Sequence, residues 1–516
     1  MLFKISFLLF LVLNISLGQV SQEWVARYNN PFNSNDHSHE LTVDELGNVY
    51  VTGHSVFQFT GYDYLTFKYN PQGSELWTAR YSGPVRFDDA YGIAVDNSGN
   101  VYVTGASESS FDNFDYLTVK YNSNGIEQWT RRYNGTLDTS DLATEVAVDG
   151  NGNIIVGGIS NMGSSQIAAT VIKYSTDGAQ LWLRSFSNSY FSSLLIDDNN
   201  NIYIYGSMLA KLDAQGNILW QISDTLTAYS PATLDQNQNI LVSGSRIINN
   251  NIENFTAKYN PYGILAWYFP LINNVVDYST DITTDGQDNV ITVYKSDTSS
   301  LHNTILFSVV KISSNGSFSW QRSFLGGYYF STIKIVTDQF DKLYITYAGG
   351  IGNQTDFVTR KLDEQGNTLW QMVYNGPAGA TDSPGEIAVD NQSNVYVTGM
   401  SYGLNTGIDY CVIKYSQLIG IEPISSEIPS KFSLHQNYPN PFNPVTKIKF
   451  SVAKTSNVEI IVYDILGREI DKIVNQPLTP GIYETDFDGS KLSSGVYFYK
   501  LIADEFTETK KMILVK

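Results

Sequence analysis

Acidic side chains recur at fixed distances along this sequence, and clustered carboxylates bind divalent cations and cationic or hydroxyl-rich ligands. A repeated Asp follows a short apolar segment at eight places in the chain. Five further aspartates stand eight residues before one of these: Asp36, Asp88, Asp141, Asp277 and Asp382. We predict that these five residues line a ligand-binding face. The alternative is that each one caps its own turn and accepts hydrogen bonds from backbone amides.

Three histidines lie close together in the first repeat, at His37, His39 and His54, with Glu40 beside them. His-x-His spacing can serve a metal ion, whereas histidines on surface loops are usually only solvated. We therefore predict no metal centre. If a metal ion does bind, these three histidines are the candidates for its ligands. The repeated turn Asp lacks the further oxygen ligands of a calcium loop, so no cofactor is expected and calcium is the alternative.

No catalytic template is complete in the sequence, which has no H-E-x-x-H motif and no G-x-S-x-G in a βαβ setting. We therefore assign no catalytic residue, although a pair of carboxylates acting as a glycosidase stays open. Five arginines fall in Trp-bearing segments, where we expect them to pair with neighbouring residues: Arg27, Arg80, Arg132, Arg184 and Arg322. The single cysteine, Cys411, lies in an apolar run and is predicted to be a buried structural thiol.

Short strands in a repeated unit are the elements that position these residues. The eight Trp residues, from Trp24 to Trp370, recur about every 49 residues. Each unit reads as four β-branched and aromatic segments separated by D-x-x-G-N and Y-N-x-x-G turns, with no room for crossover helices. In the second repeat we expect strands at Gly92–Val95, Val101–Thr104, Tyr116–Tyr121 and Gln128–Tyr133. Eight all-β units of this length predict an eight-bladed β-propeller with four-stranded blades.

Both ends of the repeat region fit a propeller. Trp24–Tyr28 reads as a fourth strand with no repeat before it, and the last repeat, 386–415, has only three strands. We predict that the N-terminal strand completes the last sheet and closes the ring. In propellers the first strand of each repeat lies at the central channel, so the five aspartates are expected at the channel mouth. A second acidic set opens the third strand at the same face: Asp63, Asp115, Glu253, Asp356 and Asp409.

The repeat itself resembles a known family. The units D-x-x-G-N-V-Y-V-T-G and D-Y-x-T-x-K-Y-x-x-x-G-x-x-x-W are similar to the SBBP type of bacterial β-propeller repeat. The resemblance covers about residues 24–415 and is most specific in repeats 1–3 and 8. It implies a secreted propeller and implies no activity.

The C-terminal part of the chain reads as a separate β-sandwich. Strands are expected at 446–452, 457–464, 481–488, 495–504 and 510–516. FSLHQNYPNPFNP (432–444), YDILGREI (463–470) and the terminal KKMILVK resemble the type A sorting domain of the type IX secretion system. This resemblance implies recognition by the secretion machinery at the outer membrane. The signature residues are Asn437, Tyr438, Pro439, Asn440, Pro441, Phe442, Asn443 and Pro444.

The first residues predict an export signal. Met1–Gly18 carries Lys4, then an apolar run, then Ser16-Leu17-Gly18, which is typical of a secretory signal peptide cleaved after Gly18. The expected organisation is a signal peptide at 1–18, an eight-bladed propeller at 19–415, a linker at 416–430 and the sorting domain, an Ig-like sandwich, at 431–516.

Charge and export together narrow the function. With 32 Lys+Arg against 51 Asp+Glu, the net charge of −19 disfavours a nucleic-acid partner, and no membrane span is expected in the mature chain. We predict export through the periplasm to the cell surface or medium, where the propeller acts as a binding or adhesion module. Its possible partner is a polysaccharide or surface glycan. The alternatives are an extracellular hydrolase or lyase with channel-mouth carboxylates, and a structural surface component.

Overall fold

Alternating β-branched and aromatic residues form strands throughout the described chain. The computed structural model describes residues 20–516 except 112, 136, 138, 164–165, 223–230, 249–250, 272–276, 297–304, 328–331, 352–353, 418–422, 426–428, 479 and 491. The predicted signal peptide, 1–18, lies outside the described residues. The chain divides into two units, Gln22–Ser416 and a second that contains Gln417–Lys516. Within the described residues, there is no helix with the length and hydropathy needed to cross a membrane.

Eight four-stranded antiparallel sheets make up the first unit, and we number them as blades in chain order. Strand β1 (Val20–Tyr28) comes first in the chain and belongs to blade 8. Blade 1 contains β2 (Asp36–Val43), β3 (Val49–Phe57), β4 (Gly61–Tyr69) and β5 (Glu75–Tyr81), and blade 2 contains β6 (Asp88–Val95), β7 (Val101–Ser110), β8 (Asn113–Tyr121) and β9 (Glu127–Tyr133). Blade 3 contains β10 (Asp141–Val148), β11 (Ile154–Asn161), β12 (Ile167–Tyr174) and β13 (Gln180–Ser187), and blade 4 contains β14 (Phe191–Ile196), β15 (Ile202–Gly206), β16 (Leu209–Leu212) and β17 (Ile218–Ile222). Blade 5 contains β18 (Ala232–Leu234), β19 (Ile240–Ile248), β20 (Asn251–Tyr259) and β21 (Leu265–Leu271), and blade 6 contains β22 (Asp277–Thr284), β23 (Val290–Ser296), β24 (Ile305–Ile312) and β25 (Phe318–Gly326). Blade 7 contains β26 (Ile333–Thr337), β27 (Leu343–Ile351), β28 (Gln354–Leu362) and β29 (Thr368–Tyr374), and blade 8 contains, besides β1, β30 (Asp382–Val389), β31 (Val395–Gly403) and β32 (Gly407–Gln417). The predicted all-β architecture of four-stranded blades is confirmed.

Blade 8 is built from both ends of the repeat region. Its strand order is β1-β32-β31-β30, so the N-terminal strand supplies the fourth strand, as predicted. Blade 8 also contacts blade 1, where Ser38 Oγ donates to the Gly399 carbonyl at 2.7 Å and Tyr410 Oη donates to the Leu65 carbonyl at 2.9 Å.

The repeated tryptophans connect neighbouring blades. Trp77 of blade 1 donates its indole N–H to the Ser123 carbonyl of blade 2 at 3.0 Å, and its ring packs against Gly125 in the same turn. Trp24 of blade 8 makes the same bond to the Pro71 carbonyl of blade 1 at 3.1 Å. The core lies between the sheets, where an aromatic ring and a directed hydrogen bond add to apolar burial.

The turn between the first two strands follows one backbone path in all eight blades. Its aspartate accepts two backbone bonds, as in Asp44, whose Oδ1 lies 3.0 Å from the amide of Leu46 and 2.8 Å from that of Asn48. Three residues after this aspartate φ is positive in every blade: Gly47, Gly99, Gly152, Asn200, Gln238, Asp288, Asp341 and Ser393. Glycine adopts this conformation without strain, and Asn and Asp tolerate it better than most other residues. A lysine recurs near the end of the third strand of each blade. In several blades it forms an ion pair with the turn aspartate, as Lys173 does with Asp149 at 2.7 Å.

Several strands are longer than the sequence predicted. In blade 2 the first and third strands were expected at Gly92 and Tyr116 but begin at Asp88 and Asn113. Asp88 pairs with Ser107 and Ser107 with Asp115, so the ladder continues through polar residues that look like loop positions in the sequence.

The second unit contains two four-stranded sheets. Their strands are β33 (Pro423–Ser425), β34 (Ser433–Leu434), β35 (Val445–Val452), β36 (Ser456–Tyr463), β37 (Glu469–Leu478), β38 (Gly481–Asp488), β39 (Gly495–Ala503) and β40 (Phe506–Leu514). The core between the sheets includes Ile448 and Phe450 from one and Ile460 and Leu501 from the other. The segment 416–430 was expected to be a linker throughout. Part of it, β33, instead belongs to this sandwich, because it pairs with β38.

Candidate functional site

The aspartates predicted to bind a ligand each occupy the first position of an innermost strand. Asp36, Asp88, Asp141 and Asp382 are buried, with at most 1% of the residue exposed. Asp277 begins β22 in the same way, and its side chain lies outside the described residues.

The buried aspartates are engaged by their own blade. Asp382 accepts hydrogen bonds from the amides of Gly376 at 2.6 Å and Tyr402 at 3.1 Å. Asp88 accepts one from the amide of Gly83 at 2.6 Å, and burial raises the pKa of its carboxyl to about 6. These contacts tie the connection that enters each blade to the strands of that blade. They favour the turn-anchoring alternative, and we call Asp36, Asp88, Asp141 and Asp382 the anchoring aspartates; ligand binding by them stays a prediction.

The second acidic set lies at the same edge of the sheets as the anchoring aspartates, because Asp36 pairs with Ser55 and Ser55 pairs with Asp63. Three of its five members form ion pairs with arginines of the outer strands: Asp63 with Arg80, Asp115 with Arg132 at 3.0 Å and Asp409 with Arg27 at 2.7 Å. A fourth, Glu253, pairs within one hairpin with Arg246 of β19 at 2.8 Å. The expectation that Arg27, Arg80 and Arg132 pair with neighbours is thus confirmed.

A cavity of about 540 Å³ lies between the innermost strands of six blades, and we call it the channel cavity. Its lining is largely polar: Ser38, His39, Glu40, Tyr91, Thr144, Glu145, Val146, Leu194, Thr332, Lys334, Gly385 and Glu386. The volume falls in the range of about 300–1,000 Å³ typical of small-molecule sites.

Most of the charged residues of this region stand at one position of the repeat, four residues before the turn aspartate. The position holds Glu40, Glu145, Asp281 and Glu386, which we call the channel carboxylates, and Lys334 in blade 7. The remaining three blades have glycine, serine and proline at this position.

Burial, and to a smaller extent repulsion between neighbouring acids, raises the pKa of three of the channel carboxylates. Burial raises the pKa of Glu40 to about 8, that of Glu145 to about 7 and that of Asp281 to about 6. Lys334 lies 2.6 Å from Glu386. Burial alone would lower the pKa of Lys334, but Glu386 and Asp281 hold that pKa above its usual value. Lys334 is therefore firmly charged, and it interacts with Glu40 and Glu145, two acids that hold protons near neutral pH.

Three of the channel carboxylates also bridge adjacent blades. They accept hydrogen bonds from a backbone amide of the next blade: Glu40 from Ile93 at 3.2 Å, Glu145 from Leu194 at 2.6 Å and Asp281 from Ile335 at 2.7 Å. These bonds hold the acids at defined positions in the channel wall.

The histidines of blade 1 meet an acid that the sequence analysis did not single out. His39 Nε2 and His54 Nδ1 lie 3.1 Å and 2.7 Å from Asp89 Oδ1 of blade 2. His37 instead stacks on the His54 ring at a centroid distance of 4.9 Å, and burial lowers its pKa to about 4. His39, His54 and Asp89 are thus the residues positioned to share a metal ion.

The sorting signature folds into an anchored loop with an exposed surface. Asn437 is buried, and its backbone amide donates a 2.7 Å hydrogen bond to the hydroxyl oxygen of Tyr499. Phe442 is 2% exposed and its amide donates to the Ile513 carbonyl at 2.9 Å. Tyr438 is 78% exposed, and the signature also exposes Pro439, Pro441 and Asn443. The exposed residues are the ones available to a recognition partner.

Cys411 is buried, as predicted, and burial raises the pKa of its thiol to about 12. The channel carboxylates other than Glu40, together with Lys334 and Asp89, were missed by the sequence analysis. Their signal was a charged residue within the first strand of a blade, at a position whose residue type changes from blade to blade.

Three families match parts of this chain. The family described as a secretion system C-terminal sorting domain matches residues 436–516. The family described as a beta-propeller repeat, SBBP, matches 76–112 and 375–405. The family described as outer membrane protein assembly factor BamB matches 115–257. The predicted repeat type and the predicted sorting domain are confirmed.

Several solved structures are similar at low identity, whereas no curated protein sequence matches. PorZ, described as an essential surface component of the type-IX secretion system of Porphyromonas gingivalis, is 11% identical, with 92% of this chain and 74% of that chain covered and a TM-score of 0.26. A protein of unknown function from Dyadobacter fermentans is 10% identical, covering 77% and 99%, with a TM-score of 0.40. Sqt1 from Chaetomium thermophilum is 8% identical, covering 77% and 100%, with a TM-score of 0.46. Similarity this low gives no basis for transferring a function.

Proposed function

Because the chain carries SBBP-type propeller repeats and a type IX sorting domain, we propose that its propeller is an exported binding module that takes a hydroxyl-rich ligand in the channel cavity. The sorting domain marks the chain for export by the type IX secretion system to the cell surface or the extracellular space. The propeller, Gln22–Ser416, contains the channel cavity, so we assign the binding function outside the cell to this unit.

The polar lining of the channel cavity is the observation that carries this proposal. Hydroxyl and carboxyl groups converge from several blades, including Glu40, Thr144, Glu145 and Tyr91. Such groups donate to and accept from sugar hydroxyls, and an aromatic ring can pack on a sugar face. We therefore propose that the ligand is a glycan.

The charges of the channel define the class of glycan further. Several acids lie near Lys334, which is already paired with Glu386. A protonated amine on a sugar favours the ionised form of these acids and gains attraction to them, whereas a uronic acid favours their protonated form and gains no such attraction. The expected order of affinity is amino sugar, then neutral sugar, then acidic sugar.

The melting temperature of the full chain tests this order. The probes are oligomers of glucosamine, N-acetylglucosamine and galacturonic acid at equal concentration. A ligand at 100 times its Kd adds about 2.7 kcal/mol to stability, which is seen as an upward shift. Glu145→Gln should abolish the shift, and Glu127→Gln, at an exposed position of β9, should keep it. A flat response to all three oligomers would favour the structural-component alternative.

A second candidate function, an extracellular hydrolase, rests on the raised pKa values of Glu40 and Glu145, about 8 and about 7. A carboxyl that stays protonated near neutral pH can act as a general acid on a glycosidic oxygen. New reducing ends released from the same oligomers, and lost in Glu40→Gln, would support this candidate. Binding of an oligomer without any product would support the binding module.

A further inference from the structure

Three metal-ligating side chains converge where blade 1 meets blade 2. His39 Nε2 lies 3.4 Å from His54 Nδ1 and 3.1 Å from Asp89 Oδ1, and the last two atoms are 2.7 Å apart. Three ligand atoms, two nitrogens and one carboxylate oxygen, therefore lie at the corners of one small triangle.

The size of this triangle suits a tetrahedral metal ion. Zinc binds imidazole nitrogen at about 2.0–2.1 Å and carboxylate oxygen at about 2.0–2.2 Å, which separates neighbouring ligand atoms by about 3.3 Å. The observed separations of 2.7–3.4 Å are close to that value. Imidazole with one carboxylate favours zinc and similar transition metals over calcium and magnesium, which prefer oxygen ligands alone.

The surroundings hold the three side chains in place. His54 is 5% exposed and is packed between the rings of His37 at 4.9 Å and Tyr62 at 4.5 Å. Asp89 is hydrogen-bonded to Tyr91. Packing and hydrogen bonds of this kind limit the movement of metal ligands and orient them.

The cluster belongs to one place in the propeller and not to the repeat. In blade 2, the positions of His39 and His54 hold Tyr91 and Ala106. In blade 8 they hold Gly385 and Met400. Blades 2 and 8 form without these histidines, so the fold of a blade does not require the cluster.

We propose that His39, His54 and Asp89 bind one zinc ion at the wall of the channel cavity. His39 is among the residues that line the cavity, and its side chain is 32% exposed. Three protein ligands leave the fourth position of a tetrahedral ion for water or for a ligand oxygen. This inference stands independently of the proposed glycan binding, since the ion would bind without any sugar present. The competing arrangement is a metal-free one, in which both histidines donate a hydrogen bond to Asp89.

Metal titration of the full chain decides between the two arrangements. After treatment with EDTA and its removal, calorimetry with Zn²⁺ should give one site per chain and Ca²⁺ should give none there. Co²⁺ should give visible absorption bands of a tetrahedral nitrogen and oxygen site. Zn²⁺ should also raise the melting temperature, because it binds the folded state.

Single substitutions assign the ligands. His39→Gln, at the most exposed of the three positions, should remove the one-to-one Zn²⁺ isotherm and the Co²⁺ bands while the circular dichroism spectrum is unchanged. His435→Gln, at an exposed histidine of the other unit, should keep both signals. One-to-one binding that survives in His39→Gln, or no Zn²⁺ binding by the unaltered chain, would overturn the proposal.

Discussion

Two positions on the same innermost strands of the propeller carry acids with opposite surroundings. The anchoring aspartates begin the strand and have their oxygens engaged by their own blade, as Asp382 does with Gly376 and Tyr402. The channel carboxylates lie in the middle of the strand, where Glu40 and Glu386 line a cavity with Lys334. One strand can therefore carry an acid that stabilises its own blade and, a few residues later, an acid that lines the channel cavity.

The two positions differ in how regularly one residue type and its contact recur. The anchoring position holds aspartate in five of the eight blades, and its four described side chains all accept a backbone amide of the chain that enters the blade, so the blade fold accounts for this acid. The channel position changes from glutamate to glycine, serine, proline and lysine around the propeller. In a repeat protein, we conclude, the position that breaks the pattern is the better guide to a binding site.

The largest effect is expected from removing the only cation of the channel carboxylate cluster among the described residues. Lys334→Met leaves the acids around it without a counter-charge, and breaking such a pair should cost about 3 kcal/mol of unfolding free energy at pH 8. The loss should shrink at pH 5, because Glu40 and Glu145 are then protonated in the folded protein. Denaturant unfolding at the two pH values measures both.

Lys342→Met is the matched control for this substitution. Lys342 lies in the same blade and has the same exposed fraction, 29%, but pairs with Glu364, an exposed acid. A surface pair of this kind contributes at most about 1 kcal/mol. Equal losses for the two variants would show that the channel acids do not act on Lys334 as described.

An anchoring aspartate should affect stability and leave binding intact. Asp88→Ala removes the acceptor of the Gly83 amide in a buried site. An unsatisfied buried donor costs about 1–3 kcal/mol, so the melting temperature should fall by several degrees. The glucosamine oligomer should still stabilise the variant as it stabilises the unaltered chain. A variant of unchanged stability that loses oligomer binding would restore the ligand role predicted for Asp88.

Glu40→Gln is expected to change stability least at low pH, where a neutral amide replaces a neutral carboxyl, and its effect should depend on pH in a distinctive way. Folding raises the pKa of Glu40 from 4.5 to about 8, so between these values the folded protein binds more protons than the unfolded one. Stability from this group is therefore present below pH 4.5 and is lost as the pH rises towards 8. Gln does not titrate, so the melting temperature of the variant relative to the unaltered chain should climb from pH 4.5 to pH 8. A difference that stays flat or falls over this range would contradict the raised pKa.

The sequence predicted the blades well and the channel poorly. The spacing of Trp and the turn motifs was enough for the repeat, because both are local features. Strand ends were missed in blade 2, since Asp88 and Ser107 look like loop residues until they are paired across the sheet. β33 was missed because Pro423–Ser425 carries little strand pattern and depends on β38 for its pairing.

Residues from different blades form the sites, and their proximity cannot be found from one repeat alone. His54 and Asp89 are 35 positions apart and meet only when blades 1 and 2 pack together. Lys334 and Glu386 likewise meet across the boundary between blades 7 and 8. Each was visible in the sequence as a charged or ligating residue at a position whose residue type changes between repeats.

The most direct test compares two acids of one strand, β10. Glucosamine oligomer is titrated by calorimetry into the full chain and into its Glu145→Gln and Asp141→Asn variants. The account predicts that Glu145→Gln loses the binding heat and that Asp141→Asn binds like the unaltered chain while melting at a lower temperature. Binding lost in Asp141→Asn and kept in Glu145→Gln would contradict the account, as would the absence of oligomer binding by the unaltered chain.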